Sequence, residues 1–182
     1  MEARGIVLDG DRGSLPFLLV HGEALVAAAA WSLGEAGVVL VDGDVPWGAL
    51  AESLAESGEP LVLHDPLCPM TPPDFLAACV ERAAGQDCVV VGVAPRGAIG
   101  EASDGAAGAP VIWSPIVVPA ARAAELDDYP ASAPDQLAGL VERLRAAGAL
   151  ELVEAPPAAR RVASEADVRE LEQLTSPLGS GD

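Results

Sequence analysis

Leu61-Val62-Leu63-His64-Asp65-Pro66-Leu67-Cys68-Pro69-Met70-Thr71-Pro72-Pro73-Asp74 is the stretch whose reading decides the fold. A short apolar run passes into a His-Asp pair and then a proline, which has no N–H to give a sheet ladder and so closes the strand. Thr71 then reads as a helix N-cap, with prolines in the first turn and Asp74 placing an acid at the third helical position. The helix predicted from this start runs to about Gly85. Cys88-Val89-Val90-Val91-Gly92-Val93 follows as a continuous apolar run, as expected of a central strand covered on both faces. Strand, amphipathic helix and strand in this order are the pattern of an α/β domain with a mostly parallel sheet.

The same alternation extends outward. Upstream, strands are predicted at 5–8 and 38–41, and helices at 22–35 and 46–57. Downstream, 95–110 is rich in Gly and Ala without period and reads as a loop or short arm. Val111-Ile112-Trp113 and Ile116-Val117-Val118 read as two short extended pieces around Ser114-Pro115. A helical turn from Pro119 is expected to end near Asp127-Asp128, with a connecting loop over 129–134. A helix over 135–147 carries Leu137, Leu140, Val141 and Leu144 on one face. Leu150-Glu151-Leu152-Val153 is a strand, Arg160-Arg161-Val162-Ala163 a short strand or extended approach, and Ser164-Glu165-Ala166-Asp167 a capping box opening the last helix, to about Leu174. The reading is one domain over 1–175, with helices on both faces of the sheet and a flexible tail over 176–182.

Composition bounds the function. The chain has 182 residues, 10 basic and 28 acidic, for a formal net charge of −18, and it contains neither Lys nor Asn. Nucleic acid and anionic membranes are bound by clustered cations, so neither is an expected partner. A lysine nucleophile, Schiff base or phosphate clamp is excluded outright. The 51% hydrophobic content comes largely from alanine, no apolar run approaches ~18 residues, and Met1-Glu2 lacks a cationic signal-peptide start; a soluble cytoplasmic protein is expected. Cys68, Cys79 and Cys88 form no ligand cluster with His21 and His64 and read as reduced, buried thiols. Trp31, Trp47 and Trp113 read as core or rim packing.

Candidate chemistry lies at the strand ends. Leu8-Asp9-Gly10-Asp11 and Val41-Asp42-Gly43-Asp44 each end a strand in Asp-Gly-Asp, and the third strand ends in His64-Asp65-Pro66. In an open parallel sheet ligands bind beyond the carboxyl ends of the strands. An apolar strand followed by Asp-x-Asp suits a sugar-nucleotide transferase that holds a divalent metal between carboxylate and phosphate, here through Asp42 and Asp44. Asp and Gly are equally good turn residues that cap a following helix, and both readings stand. For Asp65 the alternatives are a metal or nucleotide ligand and a cap of the turn into Pro66. His64 reads as a structural partner at the strand end. Arg160 and Arg161 read either as phosphate ligands or as a surface pair among carboxylates.

The segment from Leu61 to Pro72 resembles that of the methylerythritol phosphate cytidylyltransferases, the IspD-like enzymes, where an apolar strand leads into His-Asp-x-x-Arg-Pro and a helix. Leu15-Pro16-Phe17-Leu18-Leu19-Val20-His21-Gly22-Glu23-Ala24-Leu25-Val26 is similar to the family's passage from nucleotide loop to first long helix, and Asp87-Cys88-Val89-Val90-Val91-Gly92-Val93-Ala94 to its next strand. Trp113-Ser114-Pro115 stands where the family has Gln-Thr-Pro, and Arg160-Arg161-Val162-Ala163-Ser164-Glu165-Ala166-Asp167 resembles its Lys-x-Thr-x-x-x-Asp stretch. The resemblance implies a Rossmann-like nucleotide-diphosphosugar transferase fold. It also implies transfer of CMP from CTP to a polyol phosphate with release of pyrophosphate, as in isoprenoid precursor synthesis. On that basis Asp65 with Mg²⁺ or Mn²⁺ binds the nucleotide phosphates, Gly10 and Gly13 belong to the nucleotide loop, Arg12 contacts the β and γ phosphates, and Arg161 meets the attacking polyol phosphate. The glycines between 97 and 108 stand where the family builds a dimer arm, so a homodimer with a reduced arm is implied.

Several departures from the family remove or change phosphate-directed groups. The nucleotide loop is short, with Arg12-Gly13 the one remnant of its cationic, glycine-containing part. Cys68 takes the place of the Arg in His-Asp-x-x-Arg-Pro, Ala163 that of the terminal Thr, and Arg161 that of the Lys, a fork in place of a compact ammonium. Each lost cation costs on the order of a few kcal/mol of transition-state stabilisation. Weak or absent cytidylyl transfer is therefore expected, and a non-catalytic binding or regulatory role is the rival from another class.

Overall fold

The computed structural model describes residues 2–8, 10, 12–42, 45–96, 110–123, 126 and 134–176. Six strands form the main sheet: β1 (Ala3–Val7), β4 (Val38–Leu40), β5 (Leu61–His64), β6 (Val89–Val93), β7 (Ile112–Val118) and β8 (Leu150–Glu154). Their order is β4-β1-β5-β7-β6-β8. β1 pairs in parallel with β4 and β5, and β6 with β8, while β7 runs antiparallel between β5 and β6. The mostly parallel sheet expected from the sequence is present.

The alternation of the strands sorts side chains onto two faces. Leu61, Leu63, Val89, Val91, Ile116 and Val118 pack with Leu50 and Leu54 of α2 (Trp47–Ser57) and with α5 (Pro134–Ala147). Leu137, Leu140, Val141 and Leu144 of α5 are all buried there, each such side chain contributing roughly 1.5–3 kcal/mol. On the opposite face Val62, Val90 and Val117 meet Leu33 of α1 (Leu25–Glu35) and Leu76, Cys79, Val80 and Ala83 of α3 (Pro73–Gln86). Helices thus cover both faces. α4 (Ala120–Ala123) supplies Arg122, whose Nη1 and Nη2 donate to the carbonyls of Ala149 (2.7 Å) and Leu144 (2.5 Å), closing the carboxyl end of α5. All three cysteines are buried and none forms a disulfide, as expected.

Several elements differ from the sequence reading. The helix expected from residue 22 begins at Leu25, because Leu19–Val20 (β2) and Glu23–Ala24 (β3) pair as a hairpin. Its turn, His21-Gly22, has positive φ at both positions (49° and 87°), the conformation that a tight two-residue hairpin turn requires. Thr71 does not cap α3: its hydroxyl donates to the Cys68 carbonyl (2.8 Å), and Pro72 occupies the cap position. The two pieces around Ser114-Pro115 are one continuous strand, β7, with a cis peptide at that bond. A register shift between Val91 and Val93 accommodates it. Gly92 lies against the bend, where a Cβ would stand 2.5 Å from the Ser114 carbonyl oxygen. At 160–163 the extended approach is present rather than a strand: a 3₁₀ turn (Pro157–Ala159) leads into it, and its Val162 N–H donates to the Leu67 carbonyl (2.7 Å).

The last helix, α6 (Glu165–Thr175), opens as read. Ser164 Oγ accepts from the Asp167 N–H, and Asp167 Oδ2 accepts from Ser164 Oγ and from the Ala163 N–H. Val168 and Leu171 of α6 join Val20, Leu25, Leu67 and Val162 in a smaller cluster. Trp113 is buried, and Trp47 donates to the Leu126 carbonyl (2.7 Å), but Trp31 is 63% exposed on α1 and packs into no core. The end of the helical turn after Pro119, the 97–108 glycines and residues 177–182 of the expected tail lie outside the described residues.

Candidate functional site

The carboxyl ends of β1 and β5 lie side by side, with Val7 opposite His64 and the Leu8 N–H donating to the His64 carbonyl (2.8 Å). Immediately beyond them three charged side chains converge. Arg12 Nε donates to Asp65 Oδ1 (3.0 Å), and Arg161 Nε donates to Asp65 Oδ2 (3.0 Å). The Leu67 N–H also donates to Oδ1 (3.0 Å), and Arg12 Nη1 to the Gly10 carbonyl (2.9 Å). The structure therefore joins Arg12, Asp65 and Arg161, residues up to 149 positions apart in sequence, into one cluster, with Gly10 beside it. Gly13, at φ 59°, supplies a left-handed turn just after Arg12.

Burial is graded across the cluster. The Arg12 and Asp65 side chains are inaccessible, whereas Arg161 is 23% exposed. Among the described residues, Arg161 makes no hydrogen bond through Nη1 or Nη2 to any other. Among the described residues, one carboxylate here holds two guanidiniums. Removing Asp65 would take from the buried Arg12 the ion pair made through Nε, and breaking a buried pair in this way costs about 3–5 kcal/mol. The turn reading of Asp65 fits the geometry, since Oδ1 makes the Asx-type bond to Leu67, and each carboxylate oxygen also carries an arginine.

A second layer fixes Asp65 from behind. Ser114 Oγ accepts from the Asp65 N–H (3.1 Å) and lies 2.5 Å from His64 Nδ1. His64 is fully buried, and desolvation lowers its pKa to about 4 against the opposing pull of the Asp65 charge and the Cys68 backbone. The neutral imidazole shares a hydrogen bond between Nδ1 and the Ser114 hydroxyl, its direction set by the tautomer. The structural reading of His64 holds. Ser114 was not singled out from sequence; its place in Ser-Pro within an apolar run was the available signal.

The remaining candidates fall elsewhere. Arg160 is paired on the surface with Asp167 (3.4 Å) and Glu170 (2.7 Å) of α6. Cys68, in the place of the family's arginine, is buried with Trp113, Ala155 and Ala159. Asp42 is exposed at the end of the edge strand β4, with β1 standing between β4 and β5. Asp44, like Asp9 and Asp11, lies outside the described residues.

Asp65 does not suit a protein-held Mg²⁺ or Mn²⁺. Such a cation seeks about six oxygen ligands in near-octahedral array. Both Asp65 oxygens already accept N–H donors, two of them on guanidiniums that would repel a second cation. Among the described residues no group of three or more His, Cys, Asp or Glu side chains converges.

No family model and no curated protein matches the sequence. Solved structures do match. The 2-C-methyl-D-erythritol 4-phosphate cytidylyltransferase of Thermus thermophilus aligns at TM-score 0.60 and 21% identity over 96% of this chain and 98% of that one. The fold is that of the methylerythritol phosphate cytidylyltransferases. The 4-diphosphocytidyl-2C-methyl-D-erythritol synthase of Anaerococcus prevotii aligns at TM-score 0.59 and 10% identity over 96% and 95% of the two chains. The bifunctional IspDF of Campylobacter jejuni aligns at TM-score 0.58 and 12% identity over 93% of this chain and 53% of that one. The resemblance read from the sequence is borne out in the fold, at 10–21% identity to these structures.

Proposed function

We propose that this chain binds a nucleoside triphosphate, CTP by its resemblance to the cytidylyltransferases, with the phosphates at the Arg12–Asp65–Arg161 cluster. We further propose that it transfers CMP to a polyol phosphate slowly or not at all. The observation that carries the reading is the cluster itself: two arginines held on one carboxylate at the carboxyl ends of β1 and β5, where an open α/β sheet places its ligand. Arg161, with its Nη pair outward, is the group suited to a phosphate oxygen, because a guanidinium fork takes two parallel bonds to such an anion.

The deficit in rate follows from what surrounds the cluster. In-line attack of a polyol phosphate oxygen on the α-phosphorus, with pyrophosphate leaving, builds negative charge that preorganised cations must stabilise. The chain has no lysine, Cys68 is sunk among apolar neighbours, and Arg12 spends Nε on Asp65 and Nη1 on Gly10. Position and fold favour binding, while the number of available cations disfavours turnover.

The test is thermal shift with CTP and UTP, with and without Mg²⁺, alongside pyrophosphate release with CTP and methylerythritol phosphate. MgCTP is expected to raise the melting temperature of the wild type and not of Arg161→Ala, with little or no pyrophosphate release. Turnover at the rate of an ordinary cytidylyltransferase would overturn the claim of impairment. No shift with any nucleotide would move the reading to a non-catalytic binding partner. A UTP-selective shift abolished by Asp42→Ala would move it to a sugar-nucleotide transferase.

A further inference from the structure

The edge strand β4 ends the main sheet, and among the described residues no strand pairs with its outer side. It lies in the run Gly37-Val38-Val39-Leu40-Val41, in regular register with β1 and without the charge, proline or bulge that ordinarily blunts an exposed edge. The Val41 N–H donates to the Gly5 carbonyl (2.8 Å), so Val39 and Val41 turn their backbone groups toward β1, and Val38 and Leu40 turn theirs away from it. Side chains alternate in the same way. Val38 packs into the layer of α1 and α3 and Val41 against that of α2 and α5, which puts Leu40 on the first face and Val39 on the second. Leu40 is 44% exposed and Val39 45%, so the edge is open on both faces of the sheet. A helix laid along it would cover one face, whereas an added strand continues both and meets the outward N–H and C=O of Leu40.

Charge selects the kind of strand. Glu35 precedes the apolar run and Asp42 follows it, both exposed. The chain's 10 basic side chains are all arginines and all lie among the described residues; the one on β1 or β4, Arg4, is held by Glu59 (2.8 Å). Two copies paired edge to edge through β4 would bring like charges together, which disfavours a second copy as the occupant. We infer that β4 receives an extended strand of a partner protein, a short apolar run flanked on both sides by Lys or Arg. The inference is independent of the nucleotide reading.

Amide exchange followed by NMR on the full chain tests it, with the peptide Lys-Lys-Val-Ile-Val-Lys-Lys as probe. Without peptide the Leu40 N–H is expected to exchange unprotected, while the Val41 N–H, bonded to Gly5, is protected. With free peptide at about ten times its dissociation constant, exchange at Leu40 is expected to slow roughly tenfold, in proportion to occupancy. Leu40→Lys is expected to keep the Val41 N–H protected, and with it the fold, while abolishing the effect of the peptide. Glu35→Lys, on the exposed end of α1, is expected to weaken peptide binding, and Glu-Glu-Val-Ile-Val-Glu-Glu is expected to give no protection. Protection of Leu40 without peptide would overturn the inference: if it persists on dilution the chain's own residues cover the edge, and if it fades a second copy does. Equal protection by the acidic peptide, or none by the basic one, would overturn it as well.

Discussion

Protonating His64 would charge a ring that has no contact with water, and the resulting pH dependence is a direct test of its role. The free imidazole titrates near 6.5 and the buried one near 4, so between these values the unfolded chain takes up a proton that the folded chain refuses. Stability from this group is fully present above pH 6.5 and declines as pH falls toward 4, by on the order of 3 kcal/mol. Urea unfolding of wild type and His64→Gln from pH 7 to pH 4 isolates the effect, since carboxylates elsewhere titrate in both. The wild type is expected to lose more stability over that range, and parallel curves would contradict the assignment. Asp65 and His64 were legible in the sequence as a strand-end pair. The arginines were legible too, but not their attachment to Asp65, because pairing across 53 and 96 residues leaves no local pattern.

Among the elements, the strands and helices with clear period were readable, and α5 shows why: its four apolar residues at helical spacing all reached the core. The β2–β3 hairpin was not, since His21-Gly22 lacks the usual Asn-Gly or Asp-Gly signal. Tertiary contacts supply what the turn lacks. The His21 N–H donates to Glu172 Oε1 (2.8 Å) and Nε2 lies 2.7 Å from Thr175 Oγ1, tying the hairpin to α6. The continuity of β7 was hidden for a related reason, because a Ser-Pro pair reads as a break unless a neighbour makes room. Gly92 makes that room, and Gly92→Ala is expected to cost about 1–3 kcal/mol in urea unfolding, as overpacking does. Gly139, mid-helix in α5 with open space at its Cβ position, predicts the opposite sign: Gly139→Ala is expected to stabilise by roughly 1 kcal/mol. At the start of α6, Ser164→Ala is expected to lower stability by about 1 kcal/mol through loss of the bond from the Asp167 N–H.

At the scale of the whole molecule, a chain of net charge −18 gathers two arginines onto one carboxylate at the carboxyl edge of β1 and β5. The absence of lysine limits that edge to arginine, and arginine's planar fork is the donor that a buried carboxylate can hold by one side while the other stays outward. The fold matches that of cytidylyltransferase structures, with Val62, Val90 and Val117 facing one helical layer and Leu61, Leu63 and Ile116 the other. No described helix is long and apolar enough to cross a membrane. The central claim is that nucleotide phosphates dock on the Arg12–Asp65–Arg161 cluster. A crystal structure with CTP tests it most directly. The account predicts phosphate density against Arg161 Nη1 and Nη2, with Asp65 still bound to both arginines through their Nε atoms. Phosphate density at the Asp42 end of β4, or a metal seated on Asp65 with Arg161 turned away, would contradict it.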